Sequence, residues 1–143
     1  MTTIREFVYP DDYPAAVNLW KTVGPGIHYG ESDEPEEIQR KLQRDPDLFL
    51  VAESDGRIIG TIIGGYDGRR GMLYHLAVDS ANRNQGIGSL LMSEVEKRLK
   101  GKGCIKCYLM VASDNVDAMH LYENNDWIRM DKINIYTYRK ELK

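Results

Sequence analysis

Residues 83–88, with the sequence Arg-Asn-Gln-Gly-Ile-Gly, have the types and spacing that could bind an anion. They follow an apolar run, residues 72–78, that predicts a strand, and they precede a helical pattern. Because Gly86 and Gly88 lack Cβ, a ligand can approach the backbone closely. The first N–H groups of a helix have no partner within it, and the helix dipole places positive charge there. The segment therefore predicts a pyrophosphate site, with Arg83 as an additional charged donor.

Two common nucleotide-binding fingerprints do not fit this segment. The Rossmann fingerprint needs three glycines near the start of a βαβ unit, whereas two glycines occur here, far along the chain. The P-loop ends in Gly-Lys-Ser/Thr, but Ser89 follows Gly88 directly, without a lysine. A glycine-rich turn that only caps a helix is the alternative interpretation of these six residues.

The cysteines and the histidine nearest this segment give weaker signals. Cys104 and Cys107 spell C-x-x-C, but positions i and i+3 of a strand point to opposite faces. We therefore predict neither a redox pair nor a zinc site, and no metal site elsewhere. By the same alternation, His75 is predicted to lie on the strand face opposite Tyr74, in a packed or partly exposed position.

The composition is that of an ordinary globular protein. With 143 residues, 42% of them hydrophobic and 29% charged, the chain predicts a single domain over residues 1–143 with a substantial core. The net charge of −3 gives no basic face for nucleic acid. No apolar run approaches a membrane span, and the N-terminus lacks a signal-peptide core. Two cysteines are too few for a disulfide framework, so we expect a cytoplasmic protein.

The periodicity predicts an α/β (α+β) domain with the element order βααβββαβαββ. We predict about seven strands, over residues 3–9, 48–53, 58–66, 72–78, 104–112, 127–130 and 133–139. We predict four helices, from Asp11 or Asp12 as cap to about Val23, from Pro35 to about Arg44, from Ile87 to Leu99, and from Asn115 to Asn124. Asp-Gly turns at 55–56 and 67–68 predict an antiparallel meander. The strands on either side of the third helix should be parallel.

The glycine segment, the element order and one further motif resemble the GNAT N-acetyltransferase superfamily. Arg83, Gly86 and Gly88 match its acyl-CoA loop, Arg/Gln-x-x-Gly-x-Gly/Ala. Residues 115–123, Asn-Val-Asp-Ala-Met-His-Leu-Tyr-Glu, are similar to the family's second motif, Asn-x-x-Ala-x-x-Leu-Tyr-Glu. The resemblance covers nearly the whole chain. One departure is Asp-Trp at residues 126–127, where the family usually has Gly-Phe.

The resemblance implies the GNAT fold and an acetyl-CoA-dependent N-acetyltransferase. Such an enzyme transfers an acetyl group directly to a primary amine of a small molecule or peptide in a ternary complex. The alternative is a non-catalytic sensor or degenerate module that binds acetyl-CoA or CoA without turnover. The cofactor-binding residues implied by the resemblance are Leu76, Ala77, Val78, Arg83, Asn84, Gln85, Gly86, Ile87, Gly88, Ser89, Asn115, Ala118 and Tyr122.

The resemblance also implies two catalytic groups. The pantetheine chain pairs with the backbone of Leu76 and Val78 as if it were a strand, and the Leu76 backbone N–H stabilises the oxyanion. Tyr122 is the implied general acid, because a phenol of pKa near ~10 stays protonated at neutral pH and can protonate a thiolate. Asn115 holds the cofactor chain or orients water in the family, and a helix cap is its other interpretation.

The general base is not identified, because the two family positions for a catalytic glutamate are occupied by Met72 and Met110. Tyr74 lies on the strand face of Met72 by alternation and could hold a water or contact the acceptor. The carboxylates of Glu53, Glu31, Asp33 and Glu34 are other candidates, each more typical of a solvated surface charge.

The resemblance places the acceptor against the loop that connects the first two helices, residues 24–34, and against the last hairpin. The acceptor-side candidates are His28, Tyr29, Glu31 and Tyr136. An acidic and aromatic rim suits a cationic amine, and a solvated loop is the alternative. Because dimers are common in the family, a homodimer is a further expectation. Nucleic acid and membrane are not expected partners.

Overall fold

The computed structural model describes residues 1–24 and 26–142, apart from the side chain of Lys132. The strands are β1 Thr2–Glu6, β2 Phe49–Ser54, β3 Arg57–Tyr66, β4 Gly71–Val78 and β5 Cys107–Leu109. The helices are α1 Tyr13–Thr22, α2 Pro35–Arg44, α3 Ile87–Gly101 and α4 Val116–Asn124. The predicted mixed α/β class is therefore confirmed, with its four helices in the expected order.

The five strands form one sheet in sequence order, β1 to β5. The first four strands are antiparallel and β4 pairs with β5 in parallel, as the turn signals and the α3 crossover predicted. The β2–β3 connection is tight because Asp55 and Gly56 take positive φ values of 51° and 75°. These values suit the right-handed twist of a two-residue hairpin.

The predicted C-terminal hairpin over residues 127–130 and 133–139 does not form strands. Instead, residues Met130–Ile133 form a 3-10 turn, and Asn134 follows it with a φ of 62°. Hydrogen bonds from the backbone N–H groups of Asn134 and Ile135 to Asp131 and Met130 close this turn. In addition, β5 has only three residues, so it offers a short ladder edge to any further strand.

The sheet carries a buried apolar layer on each face. On one face α3 contributes Leu91, Met92, Val95 and Leu99 to a cluster with side chains of β2 and β3. On the other face α1 contributes Ala16, Leu19 and Trp20, and α2 contributes Ile38, to a cluster with Phe49, Val51, Ile63 and Ala77. Within the described ranges, no helix has both the length and the apolarity to cross a membrane.

A β-bulge interrupts the ladder between β3 and β4. Thr61 pairs with Ala77, but Ile63 pairs with Tyr74, so one residue of β3 opposes two of β4. The bulged residue, His75, has a φ of 49°. Its ring packs against Trp20 of α1, with 4.7 Å between ring centroids.

The prediction that His75 and Tyr74 lie on opposite faces of the strand is therefore wrong. A Cβ on Gly65, in β3, would lie 3.7 Å from Tyr74 Cε2 and 3.8 Å from Lys41 Nζ of α2. Tyr74 thus lies on the face that α1 and α2 cover, as His75 does. The alternation rule failed because the extra residue of a bulge resets the period of two.

Asp12 precedes α1 as predicted, but its carboxylate makes no cap hydrogen bond to the helix. Instead, it accepts two hydrogen bonds from Arg5, of 2.7 and 3.0 Å, and one of 2.8 Å from the backbone N–H of Val8. Burial alone would raise the pKa of Asp12, but these donors hold it below its usual value. The carboxylate therefore ties β1 to the start of α1.

We expect Asp12→Asn to lower the free energy of unfolding at pH 7 by roughly 1–3 kcal/mol, since Arg5 loses one of its two carboxylate partners and keeps only Glu53. Because the folded-state pKa of Asp12 is lowered, its contribution is present above the unfolded-state pKa and is lost as the pH falls through the folded-state pKa. The difference in the free energy of unfolding between wild type and variant should therefore decrease as the pH is lowered. Urea unfolding at a series of pH values measures this difference, and Asp11→Asn, at an exposed neighbour, is the control. A difference that does not change with pH would contradict the assignment.

Candidate active site

The site begins where β4 and β5 separate. The two strands pair only from Gly71 to Leu73 with Cys107 to Leu109. Beyond that point, residues 74–78 of β4 have no ladder partner on this edge among the described strands. A strand edge of this kind can accept an extended ligand through backbone hydrogen bonds.

A cavity of about 610 Å³ lies along the β4 edge, within the ~300–1,000 Å³ range of ligand pockets. β4 contributes Leu76, Ala77 and Val78, and the start of α3 contributes Gly86, Ile87, Gly88 and Ser89. α4 contributes Asn115, Ala118 and Tyr122. We call this the cofactor-side cavity. Apart from Gln85, all of the predicted cofactor residues line it.

Gly86 has the geometry of an anion site at a helix start. It is the N-cap of α3 and has a φ of 78°, in the left-handed region that glycine adopts at little cost. A Cβ placed there would meet no described atom within 4 Å beyond its chain neighbours. The unpaired N–H groups of the first α3 turn therefore open toward space that a phosphate could occupy.

Gly88 and Arg83 also make contacts within the chain that their motif positions did not predict. A Cβ on Gly88 would lie 2.9 Å from Leu121 Cδ2, so this glycine allows α4 to pack closely on α3. Arg83 donates from Nη2 to the Val23 carbonyl, at 2.7 Å, and from Nε to the Val78 carbonyl, at 3.3 Å. Two of its donors therefore tie the loop between β4 and α3 to the end of α1 and to the end of β4.

The helix-cap interpretation of Asn115 is confirmed. Its Oδ1 accepts a hydrogen bond from the backbone N–H of Ala118 at 3.3 Å. The cap starts α4 beside the cofactor-side cavity, and Tyr122 lies almost two turns further along that helix. Asn115 also comes close to the α1–α2 connection, since a Cβ on Gly26 would lie 2.9 Å from Asn115 Nδ2.

Tyr122 is the residue that two cavities share. Besides the cofactor-side cavity, it lines a wider cavity that also contains Tyr74, Met72 and Met110, which we call the acceptor-side cavity. Its ring is tilted against Trp127, with centroids 6.4 Å apart. Burial raises the pKa of the Tyr122 phenol above its ordinary value, so the hydroxyl keeps its proton at neutral pH.

Met72 and Met110, at the two family positions for a base, both line the acceptor-side cavity. Tyr74 lies in the same wall, and burial raises the pKa of its phenol. A phenol with a raised pKa is protonated at neutral pH, so Tyr74 is suited to orienting a water or an acceptor rather than to removing a proton.

Four residues were predicted from the sequence to contact the acceptor, namely His28, Tyr29, Glu31 and Tyr136. In the described chain none of them lines either cavity. The Tyr29 hydroxyl lies 3.0 Å from the Tyr13 hydroxyl, and Lys21 Nζ lies 4.5 Å from the centroid of its ring. Tyr136 is 74% exposed. Their roles toward an acceptor stay predictions.

The prediction that Cys104 and Cys107 point to opposite faces is wrong. Cys104 precedes β5, and a Cβ on Gly71 would lie 3.1 Å from both Cys104 Sγ and Cys107 Cβ. Both thiols are free. Burial, then the Glu96 carboxylate and Cys104, raise the pKa of Cys107 to about 11, which keeps it protonated at neutral pH. Three or more potential metal ligands do not cluster anywhere in residues 1–24 and 26–142.

Sequence reasoning missed two contributions to this region. Val23 and Ile27, around the end of α1, line the cofactor-side cavity, and no local pattern distinguishes them from ordinary apolar residues. It also missed Thr61, a fully buried hydroxyl within the apolar run of β3. One polar residue among buried aliphatic ones was the available signal.

A parallel strand pair that separates, a left-handed glycine at the start of the following helix and a motif tyrosine between two cavities agree with the GNAT resemblance of the sequence. A family model described as the acetyltransferase (GNAT) family matches residues 10–127. The chain therefore belongs to the GNAT acetyltransferases, as its motifs predicted.

Relatives of known name and structure agree with this assignment. The chain is 42% identical over 125 residues to an acetyltransferase of Pectobacterium atrosepticum, with 87% of each chain covered. It is similar in structure to Ard1 from Thermoplasma volcanium, with a TM-score of 0.75, 26% identity, and 87% and 80% of the two chains covered. It is also similar to the PaiA N-acetyltransferase from Thermoplasma acidophilum in complex with coenzyme A, with a TM-score of 0.74, 25% identity, and 87% and 88% coverage.

Proposed function

We propose that this protein is an N-acetyltransferase that uses acetyl-CoA to acetylate a primary amine of a small molecule or peptide in a ternary complex. The observation that carries the proposal is the meeting of the cofactor-side and acceptor-side cavities at Tyr122, where β4 and β5 separate. A donor and an acceptor bound on either side of this point would have their reacting atoms next to each other. The similarity to an N-acetyltransferase crystallised with coenzyme A supports the choice of donor.

The cofactor-side cavity would hold the acyl-CoA molecule. The N–H groups at Gly86 and the first turn of α3 would bind the pyrophosphate. The unpaired edge of β4 at Leu76 and Val78 would bind the pantetheine arm as an additional strand. When bound, acetyl-CoA supplies an activated acetyl thioester.

The chain itself contributes two groups to the transfer. The backbone N–H of Leu76 would donate a hydrogen bond to the carbonyl oxygen of a bound acetyl group, where negative charge develops as the amine nitrogen attacks. As the C–S bond breaks, Tyr122 would donate its phenolic proton to the departing sulfur and would be reprotonated by water. The proton released by the amine would pass to solvent through water in the acceptor-side cavity. Tyr74 would orient that water.

A second candidate function is a module that binds acetyl-CoA without turnover. It is favoured by one observation, the presence of Met72 and Met110 at the family's two base positions. Neither thioether can accept a proton from an ammonium group. The two functions share the cofactor-side cavity and differ only in whether an acceptor reacts.

We expect acetyl-CoA to raise the melting temperature, because a ligand that binds only the folded state stabilises it. At about 100 times Kd, the stabilisation is about 2.7 kcal/mol. Free-thiol release should then depend on an added amine, measured with a panel of amino acids, polyamines, aminoglycosides and peptides.

The results of the melting and thiol-release assays distinguish the two candidate functions. Amine-dependent thiol release supports the N-acetyltransferase. A melting shift without release by any amine favours the binding module. No shift with acetyl-CoA would overturn both, and the shift with CoA alone is the control for donor binding without the acetyl group.

A further inference from the structure

We propose that Thr61 and Trp20 are positioning residues that fix the peptide unit between His75 and Leu76, so that the Leu76 N–H points into the cofactor-side cavity. The inference rests on the proposed function, since it concerns the group assigned there to the developing oxyanion. It follows from a buried hydrogen-bond chain that links α1, β3 and the bulge of β4.

The direction of each hydrogen bond in this chain is determined by chemistry. Trp20 Nε1 can only donate, and it lies 2.9 Å from Thr61 Oγ1. The Thr61 hydroxyl therefore accepts from Trp20, and its single proton is directed to the His75 carbonyl oxygen, also at 2.9 Å. Thr61 is 0% exposed and Trp20 1% exposed, so water does not compete for these groups.

The His75 carbonyl and the Leu76 N–H belong to one planar peptide unit. This peptide bond is trans, so its C=O and N–H point in opposite directions. Because the carbonyl points toward Thr61 on β3, the Leu76 N–H points away from β3, toward the edge that β5 leaves after Leu73. Leu76 lines the cofactor-side cavity at this edge.

The side chain of His75 is anchored as well. Its Nε2 lies 2.8 Å from Asp33 Oδ1, and Asp33 Oδ2 accepts a hydrogen bond of 3.0 Å from the Gly30 N–H. The ring also packs on Trp20. A φ of 49° is unfavourable for a residue with a Cβ and persists only where the surroundings impose it. Here the carbonyl and the ring are both held, so the peptide has one orientation.

The test variant is Thr61→Val, which keeps the shape and removes the hydroxyl. We expect kcat for acetyl transfer to fall by about 10²–10³-fold, as when one oxyanion donor is lost, with Kd for acetyl-CoA changed less than about threefold. Thr61→Ser keeps the hydroxyl and should restore kcat to within about fivefold of wild type. Ile59→Val, which trims a buried β3 side chain on the α3 face, controls for a general loss of stability in this strand.

A readout without turnover accompanies the kinetics. In ¹⁵N-labelled wild type, the Leu76 amide signal should shift on addition of acetyl-CoA, and in Thr61→Val this shift should be lost while the Gly86 amide still responds. If wild type binds acetyl-CoA but acetylates no amine, the proposed function has failed and this amide response alone decides the positioning role.

Three results would overturn the inference. The first is a folded Thr61→Val protein with wild-type kcat. The second is an unchanged response of its Leu76 amide to acetyl-CoA. The third is an equal loss of kcat in Thr61→Ser, which would assign the effect to the missing methyl group rather than to the hydroxyl. If Thr61→Val does not fold, Trp20→Phe replaces it, with an expected loss of at least tenfold in kcat. This variant removes the Nε1–H donor to Thr61 together with part of a buried ring that packs on Phe49 and His75, so the Leu76 amide response to acetyl-CoA is measured in it as well.

Discussion

Tyr122→Phe is expected to lower kcat by about 10²–10⁴-fold, the usual contribution of a general acid, while Kd for acetyl-CoA changes little. The substitution keeps the ring that packs beside Trp127 and removes only the hydroxyl. Without that proton, sulfur must leave as a thiolate, with a pKa near ~8.5 for an ordinary thiol. Rapid-quench measurements of the chemical step, together with calorimetric titration of acetyl-CoA, measure the two effects separately.

The pH dependence gives the sharper form of this prediction. A general acid acts in its protonated form, so activity is lost as the pH rises through its pKa. Burial raises the pKa of Tyr122 above its ordinary value, which places this falling limb at a more alkaline pH than an ordinary tyrosine would give. The Phe variant should lack the limb.

Tyr9→Phe is a matched control, because Tyr9 is half-buried and packs against the other apolar layer, away from both cavities. It should keep the kcat and the pH profile of wild type. Equal kcat and coincident profiles for wild type and Tyr122→Phe would instead show that Tyr122 is only a packed aromatic residue.

Gly86→Val is expected to weaken acetyl-CoA binding by roughly tenfold to 100-fold, the equivalent of about 1.5–3 kcal/mol for one hydrogen bond to a charged group. The valine side chain would occupy the open space at the start of α3, and its β-branch disfavours the φ of 78°. Both effects move the N–H groups that should bind the pyrophosphate. The fold should survive, because no described neighbour lies within 4 Å of the new Cβ.

Gly68→Val provides the control for strain alone. Gly68 also has a positive φ, of 98°, and open space around it, but it lies in the turn before β4, at the end opposite residues 83–88. Circular dichroism should show both variants folded, and calorimetric titration should show weakened binding only for Gly86→Val. Equal affinity in the two folded variants would contradict the assignment of the pyrophosphate site.

The sequence predicted the features that depend on neighbours along the chain. The Asp-Gly turns, the proline at the start of α2, the cap at Asn115 and the glycine at the start of α3 all rely on φ preferences and hydrogen bonds within a few residues. The parallel pairing of β4 and β5 also followed, because a strand–helix–strand crossover has one favoured hand. These features were enough to identify the family.

The predictions that failed depended on an unbroken period or on a long segment of the chain. The bulge at His75 reset the alternation of β4 and moved that ring to the face of Tyr74. Cys104 fell outside a strand of only three residues, so the alternation rule did not apply to the cysteine pair. The C-terminal residues had a strand-like pattern, but a local turn at Met130–Ile133 replaced the hairpin.

By itself, the sequence determined the family and the order of the elements as far as α4, because both are encoded by residues close together in the chain. Only the tertiary structure decided that α4 packs closely on α3 at Gly88, where an added Cβ would lie 2.9 Å from Leu121 Cδ2. It also decided that Tyr122 lies between two cavities. It also decided the orientation of the Leu76 N–H, through Thr61 and Trp20, which are 41 residues apart in the chain. Such contacts arise from packing between elements, and no local preference of the backbone encodes them.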